Sequence, residues 1–311
     1  MAATYSVPAM PTPPASDETR DRARLLARVI EPVVGQVYFA PECHRRYEAL
    51  GFNPSPGGIP GGISFPDGAA YFTSRGSCLG QVPGELVAAA FGVFKLEAVV
   101  PGVTFGWTLT DAPTIADERL RGAVEQLERI LGPKPEGIDR AVELLTRATE
   151  PLEPWGRALS AGVLSQPLPG EPLGDLFRLG DRLREFRGDS HIAAWVQAGH
   201  DACEIGLLTE LYWGMPSRTY VRTRAWSDDD LDAAEVRLEA AGLMADHQLT
   251  DRGRAHREEI ELATDAQMLP ALDVLGDDLA ELAALLTDWD EQVMAAGGYP
   301  NSPLAITPRG A

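Results

Sequence analysis

Between residues 217 and 262 the chain is punctuated so closely that few folds can accommodate it. Ser227, followed three residues on by Asp230, makes a capping box, and the successive aspartates Asp228, Asp229 and Asp230 favour the positive end of a helix dipole. Gly242 can take the left-handed conformation that ends such a helix, so one is expected from Asp228 to Ala241. A short hairpin then turns through Asp246 and His247. Thr250 is placed to cap a further helix carrying Arg252, Gly253 and Arg254. Helix, small wing and helix in that order predict a winged helix.

The rest of the chain points to more helix. Apolar residues make up 44% of 311 residues, enough for a sizeable core, yet aromatics are only 7% and alanine and leucine dominate, which favours helices packed by small aliphatic side chains. The expected fold class is all-α, in two helical parts, with the hairpin as its one β feature. Residues 1–15 and 297–311 read as disordered tails, and the proline-rich Ser165 to Pro172 marks a boundary between an N-terminal helical domain (16–164) and a C-terminal domain (173–296) that contains the winged helix.

Within these parts the spacing predicts helices from Asp17 to Phe39 with a kink at Pro32, from Glu42 to Leu50, and from Pro83 to Val100 with Val87, Phe91, Phe94 and Val99 inward. Further helices are expected at 113–131, 136–149, 154–160, 173–186, 190–212, 251–265 and 266–296. The Gly- and Pro-rich run from Gly51 to Pro66 is expected to hold no regular element. Heptad-like apolar spacing from Met268 to Met294 fits a core helix or a homodimer contact.

Charge narrows the partners. A formal net charge of -19 repels phosphate backbones and anionic membranes, so nucleic acid is an unfavoured partner. No run of 18 apolar residues and no leader pattern occurs, and three widely spaced cysteines (Cys43, Cys78, Cys203) imply neither a disulfide framework nor a zinc knuckle. The expected location is a reducing cytoplasm. Abundant Arg and Pro fit a high-GC actinobacterial coding bias.

The pattern Leu238 to Leu243, the wing, and Leu249 to Arg254 resembles the MarR family of winged-helix regulators, in which the helix equivalent to Asp228–Ala241 enters the major groove. That resemblance implies a fold. The chain departs from it where DNA would be met: the side chains expected to be exposed are Asp228, Asp229, Asp232, Glu235 and Glu239, with Arg237 the only cation, and the wing offers His247 instead of an arginine. Carboxylates facing phosphates remove even the nonspecific part of DNA affinity.

From Arg24 to Asp265 the chain is also similar to a family of actinobacterial helical proteins, some described only as helix-turn-helix-like. The residues carrying that likeness are Glu31-Pro32 with Val37-Tyr38-Phe39, Tyr71-Phe72 with Arg75 and Leu79-Gly80, Phe91 with Phe94, the run Leu183 to His191, Trp226-Ser227, and the stretch Leu249 to Asp265. Phe186 and Lys95 stand where relatives often carry histidine, which weakens any multi-histidine metal site. Read on its own, the run Arg184 to His191 is a junction in which Gly188 breaks one helix and Asp189 caps the next, with His191, Trp195 and Cys203 near one face of the second.

The leading expectation is a protein that binds a small, partly aromatic organic molecule between its N-terminal helices and this junction, with Tyr38, Arg75, Phe94, Arg187, His191 and Trp195 as ligand-binding residues. A bland alternative is a junction held by an ion pair from Arg187 to Asp189 or Glu31, with His191 a satisfied core residue. Two functional rivals remain open. One is an enzyme of specialised metabolism using His191 as acid or base, Asp189 as orienting carboxylate and Arg187 as anchor; the other is a MarR-type transcription regulator. No cofactor is expected, and a haem or metal on His191 is a variant that nothing else in the sequence supports. His200 with Cys203 could form half a metal site, and the Cys43 thiol beside Arg45 and Arg46 could be activated, but neither has the further residues such chemistry needs.

Overall fold

Helical spacing and well-placed caps decide most of the architecture. The computed structural model describes residues 16–59 and 63–300, which form fourteen α-helices, three 3-10 turns and two two-stranded hairpins. The N-terminal helices are α1 (Asp17–Gly35), α2 (Pro41–Ala49), α3 (Gly68–Gly76), α4 (Gly84–Phe91), α5 (Leu96–Leu109), α6 (Ala112–Leu131), α7 (Ile138–Thr149) and α8 (Ala158–Ser165). There follow α9 (Pro172–Gln197), α10 (Ala202–Tyr212), α11 (Asp228–Ala240), α12 (Asp251–Ala266), α13 (Leu269–Leu275) and α14 (Asp278–Ala295). The fold is mainly α, as the composition predicts.

Several boundaries differ from the expected ones, each for a local reason. The Ser16 hydroxyl caps α1 by accepting from the Thr19 N–H, but the α-helix stops at Gly35, one turn past Pro32, and continues to Tyr38 as a 3-10 turn. The single helix expected from Pro83 to Val100 is two, because Gly92 takes a left-handed φ of 72° and ends α4. Gly199 (φ 87°) and Asp201, which forms a capping box with Glu204, likewise divide the stretch expected as one helix at 190–212. The helix expected at 154–160 starts at Ala158. Gly276 separates α13 from α14. Within Gly51 to Pro66, Gly58–Ile59 (β1) pairs antiparallel with Ile63–Ser64 (β2), so one short hairpin does survive there.

The most consequential correction lies in α9. It runs unbroken for 26 residues through Gly188 and Asp189, so the expected junction does not exist. Asp189 does cap a helix, but in trans: its carboxylate accepts the Ser160 N–H at 2.9 Å, in the first turn of α8.

The principal core gathers Leu26 and Val33 of α1, Leu127 of α6, Leu144 of α7, Phe177 of α9 and Leu282 of α14, so it crosses the Ser165–Pro172 connection between α8 and α9. Removing a fully buried ring such as Phe177 by truncation to alanine would cost about 3–5 kcal/mol. The aliphatic run of α13 and α14 belongs to this core through Leu272, Leu275, Leu279, Leu286 and Trp289. Tyr299 belongs to it as well. It is 3% exposed, stacks edge-on against Phe39 and donates to Glu31 at 3.2 Å, so the segment expected as a tail from residue 297 is packed as far as residue 300. The expected tail at 1–15 and the rest of the second tail lie outside the described residues.

A second cluster forms where Phe72, Phe91 and Phe94 meet Tyr71 on α3 to α5. A third holds the winged helix together through Leu207, Leu211, Val221, Leu231, Leu238 and Met244. Its wing pairs β3 (Met244–Ala245) with β4 (Gln248–Leu249), and Asp246 and His247 both take positive φ, 49° and 59°, as a two-residue type I′ hairpin requires.

Candidate functional site

The leading end of α11, where a reading helix would meet base edges, is built into the protein itself. Its Ser227–Asp230 capping box forms as the sequence predicts, and Asp230 then takes a further partner, the Lys95 ammonium at the start of α5. That cation and the Ser227 hydrogen bonds hold the Asp230 carboxyl down to about 2. Trp226 Nε1 donates to the Val93 carbonyl at 3.1 Å and the Lys95 N–H to the Arg224 carbonyl at 3.0 Å, fixing this end against the α4–α5 connection.

Three of the arginines near α11 are engaged by carboxylates, while Arg224 donates to the Tyr220 hydroxyl instead. Arg218 pairs with Asp232 at 2.7 Å and Glu235 at 2.6 Å, Arg222 with Asp228, and Arg237 with Glu204 at 2.5 Å and with Asp201. Glu235 is not solvated, as its place in the sequence suggested. It is 5% exposed, bound by Arg218 and, at 2.9 Å, by His247 of the wing. Asp228, Asp229, Asp232 and Glu239 are exposed as expected. The element before α11 is only a 3-10 turn, Val221–Arg224, held by the buried Glu210 carboxylate, which accepts the backbone N–H groups of Arg218, Thr219 and Val221.

Because α9 is continuous, residues two apart point to opposite sides, and the trio Arg187, Asp189 and His191 is split. Arg187 and His191 face α12. Arg187 bonds Glu261 and Asp265, each at 3.0 Å, and neither Asp189 nor Glu31 is its partner; Glu31 pairs with Arg184 at 2.8 Å. His191 Nδ1 lies 3.1 Å from the Thr264 hydroxyl and 3.8 Å from Glu261. Burial pushes its pKa down to about 3, more than Glu261 can offset, so the imidazole is neutral at ordinary pH and a poor proton acceptor. Burial alone would raise Glu261, but Arg257 at 2.6 Å and Arg187 hold it well below the usual carboxylate range. Trp195 is buried one turn on, its indole N–H without an acceptor.

Asp189 faces α8 on the other side. Burial raises its carboxyl to about 6 although the Ser160 N–H pulls the other way. Tyr38 and Arg75 do meet α9, at Glu185. Arg75 grips that carboxylate at 2.7 and 3.1 Å, and the Tyr38 hydroxyl, also contacted by Arg184 at 3.1 Å, lies 3.4 Å away. Burial would raise Glu185, yet Arg75 and Arg184 bring it down to about 2. Phe94 stands apart in its aromatic cluster under the Arg224 guanidinium, 4.6 Å from the ring centre. The structure thus brings Tyr38 and Arg75 together, and separately Arg187 with His191, but gathers no single pocket from the six expected ligand-binding residues.

A small cavity lies on the Asp189 side of α9, toward α3, α6 and α8. Arg75, Arg119, Arg178, Asp181 and Glu185 line it, and the space left admits about one water (about 10 Å³). Arg119 forks onto Asp181 at 2.8 and 3.3 Å. Arg178, 6% exposed, meets only the Gln166 amide oxygen; among the described residues no carboxylate lies within 4 Å of it, and its Nε has no acceptor. Sequence reading passed over Arg119, Arg178, Asp181 and Glu185. The last three recur at helical spacing on α9, a polar stripe that becomes visible only once the helix runs through Gly188.

The remaining candidates close quietly. Burial lifts the Cys43 and Cys203 thiols to about 12, so neither is activated, and His200 pairs with Glu204 and His256 instead of Cys203. No group of three or more metal-ligating side chains occurs among the described residues, and no described helix is long and apolar enough to cross a membrane.

Residues 23–300 match a helix-turn-helix family. The chain belongs to that helix-turn-helix family. The match covers both sides of the Ser165–Pro172 connection, so membership in the helix-turn-helix family describes the N-terminal helices and α9 as well as the winged segment. No curated protein and no solved structure matches the chain.

Proposed function

We propose that this member of the helix-turn-helix family is a small-molecule-binding protein whose winged helix does not grip DNA. The observation that carries the reading is the engagement of α11: its leading end is docked on Val93 and Lys95, and Lys95, Arg218, Arg222 and Arg237 each already serve a carboxylate. Between residues 201 and 266 fifteen acidic residues face seven basic ones, so no counterion release would favour association with phosphates.

The ligand seat lies against α9, as the sequence suggests, but on the Arg178 to Glu185 stretch of its cavity side instead of the Arg187 to Trp195 stretch. The charges around Arg187 are balanced by carboxylates, whereas Arg178 is left with a neutral partner. An enzyme using His191 with Asp189 loses support, since the two side chains point away from each other and the imidazole binds protons weakly. A cytoplasmic location fits three free thiols.

Native mass spectrometry of the full chain, after incubation with metabolites extracted from the producing cell, tests the reading. The expected result is a retained small adduct that Arg119→Met abolishes. A chain at its bare mass under every condition, or an adduct indifferent to Arg119, contradicts it.

A further inference from the structure

Among the three guanidiniums that line the cavity, Arg178 is the one with no carboxylate within 4 Å; Asp181, three residues along α9, acts on it only through space. Arg75 has Glu185 and Arg119 has Asp181, each in a two-pronged pairing, and Arg184 beside them has Glu31. A buried cation without a partner is strongly unfavourable, and arginine does not escape by losing its proton. Burial does lower the Arg178 pKa, the direction expected of a cation short of compensation.

Its one acceptor, Gln166, is the C-cap of α8 and opens the exposed stretch 167–171. That amide can leave without unwinding a helix. A neutral amide oxygen supplies one acceptor where a carboxylate would supply two and a full charge. The serines of the cavity cannot replace it, because Ser74 and Ser77 donate to the carbonyls of Tyr71 and Ser74. The donors left over are the Nε groups of Arg178 and Arg119, both buried and both without acceptors. Ala116 and Val163 add an apolar lining.

We propose that Arg178, with Arg119 beside it, is the seat for the carboxylate of a small organic acid, and that Gln166 is a plug occupying that seat in the empty protein. The acid enters head-first, its carboxylate displaces the Gln166 amide oxygen on Arg178, and its hydrocarbon takes the space that the Gln166 side chain vacates beside Val163, since the cavity as it stands admits about one water. This deepens the ligand-binding reading of the same cavity and depends on it. No bond is made or broken; a neutral acceptor exchanges for a charged one.

The test uses the full chain with butyrate as probe, chloride balancing the ionic strength, and the unfolding temperature as readout. Wild type should show a saturable rise with butyrate. Gln166→Ala, which removes the competing plugged state, should tighten the apparent affinity by about threefold or more. Arg178→Met should fold and lose the response. Butyrate acting no better than chloride in both wild type and Gln166→Ala overturns the carboxylate seat, as does a full response in Arg178→Met. The two readings fail separately: an uncharged adduct that Arg119→Met abolishes and Arg178→Met leaves intact would keep the cavity as a binding site while removing the carboxylate from it.

Discussion

The two sides of α9 carry similar residues and opposite balances. Toward α12, Arg187, Arg257 and Arg24 meet Glu261, Asp265 and Glu258, three cations for three carboxylates, and His191 stays neutral between them. In the cavity toward α3, α6 and α8, Arg75, Arg119 and Arg178 share the lining with only two carboxylates, Glu185 and Asp181, while Asp189 on the same side is turned to the Ser160 N–H. A charge-balanced set of ion pairs fastens helices and gives an added anion little to gain, whereas a set short of one negative charge is completed by whatever supplies it. The difference separates what in this helix is structural from what is available for binding.

The sharpest way to break that comparison is to remove one arginine from each side. Arg187→Met leaves Glu261 and Asp265 short of a cation they share and should cost about 3–5 kcal/mol of unfolding free energy in urea. An effect below about 1 kcal/mol would mean that the α12 side is not the fastened one.

Titration gives the next largest effects, of opposite sign on the two sides. His191 binds its proton less well folded than unfolded, so its contribution is complete above pH 6.5 and is lost as pH falls toward about 3. Asp189 binds its proton better folded than unfolded. Its contribution is present below pH 3.8 and is lost as pH rises through about 6, amounting to about 3 kcal/mol. Denaturation curves between pH 4 and 6.5 should therefore lose a rising slope in His191→Gln and a falling slope in Asp189→Asn. Slopes that change in the same direction in both variants would contradict the assignment.

Arg178→Met should give the smallest change, within about 1 kcal/mol of wild type or more stable, because a buried cation without a counter-charge is being replaced by an apolar chain of similar length. A loss matching that of Arg187→Met would erase the distinction between the sides.

Much of the fold could be read from caps and spacing. Ser16, Ser227 and Thr250 cap the helices they precede, and the positive φ of Asp246 and His247 sits at the turn where a wing was expected. The site is less legible because Gly188 reads as a helix break in the sequence and is not one in the fold. Gly188 costs a helix only about 1 kcal/mol, which packing of Phe177, Leu183 and Phe186 on the same helix outweighs, so Asp189 lies behind His191 instead of beside it. Pairings such as Arg119 with Asp181 join residues 62 apart, and local spacing carries no signal for them. The charge of α11 was legible directly, apart from Glu235, whose burial depends on Arg218 lying across it.

The central claim is that the helix which would read DNA is committed to the protein's own carboxylates, lysine and tryptophan. Fluorescence anisotropy of a labelled duplex carrying the chain's own upstream sequence tests it most directly, titrated at low and at physiological salt. The account predicts no saturable binding even at about 10⁻⁴ M protein, the weak end of ordinary nonspecific affinity. Saturable binding that weakens steeply with salt and is lost in Arg252→Ala or Arg254→Ala would contradict it.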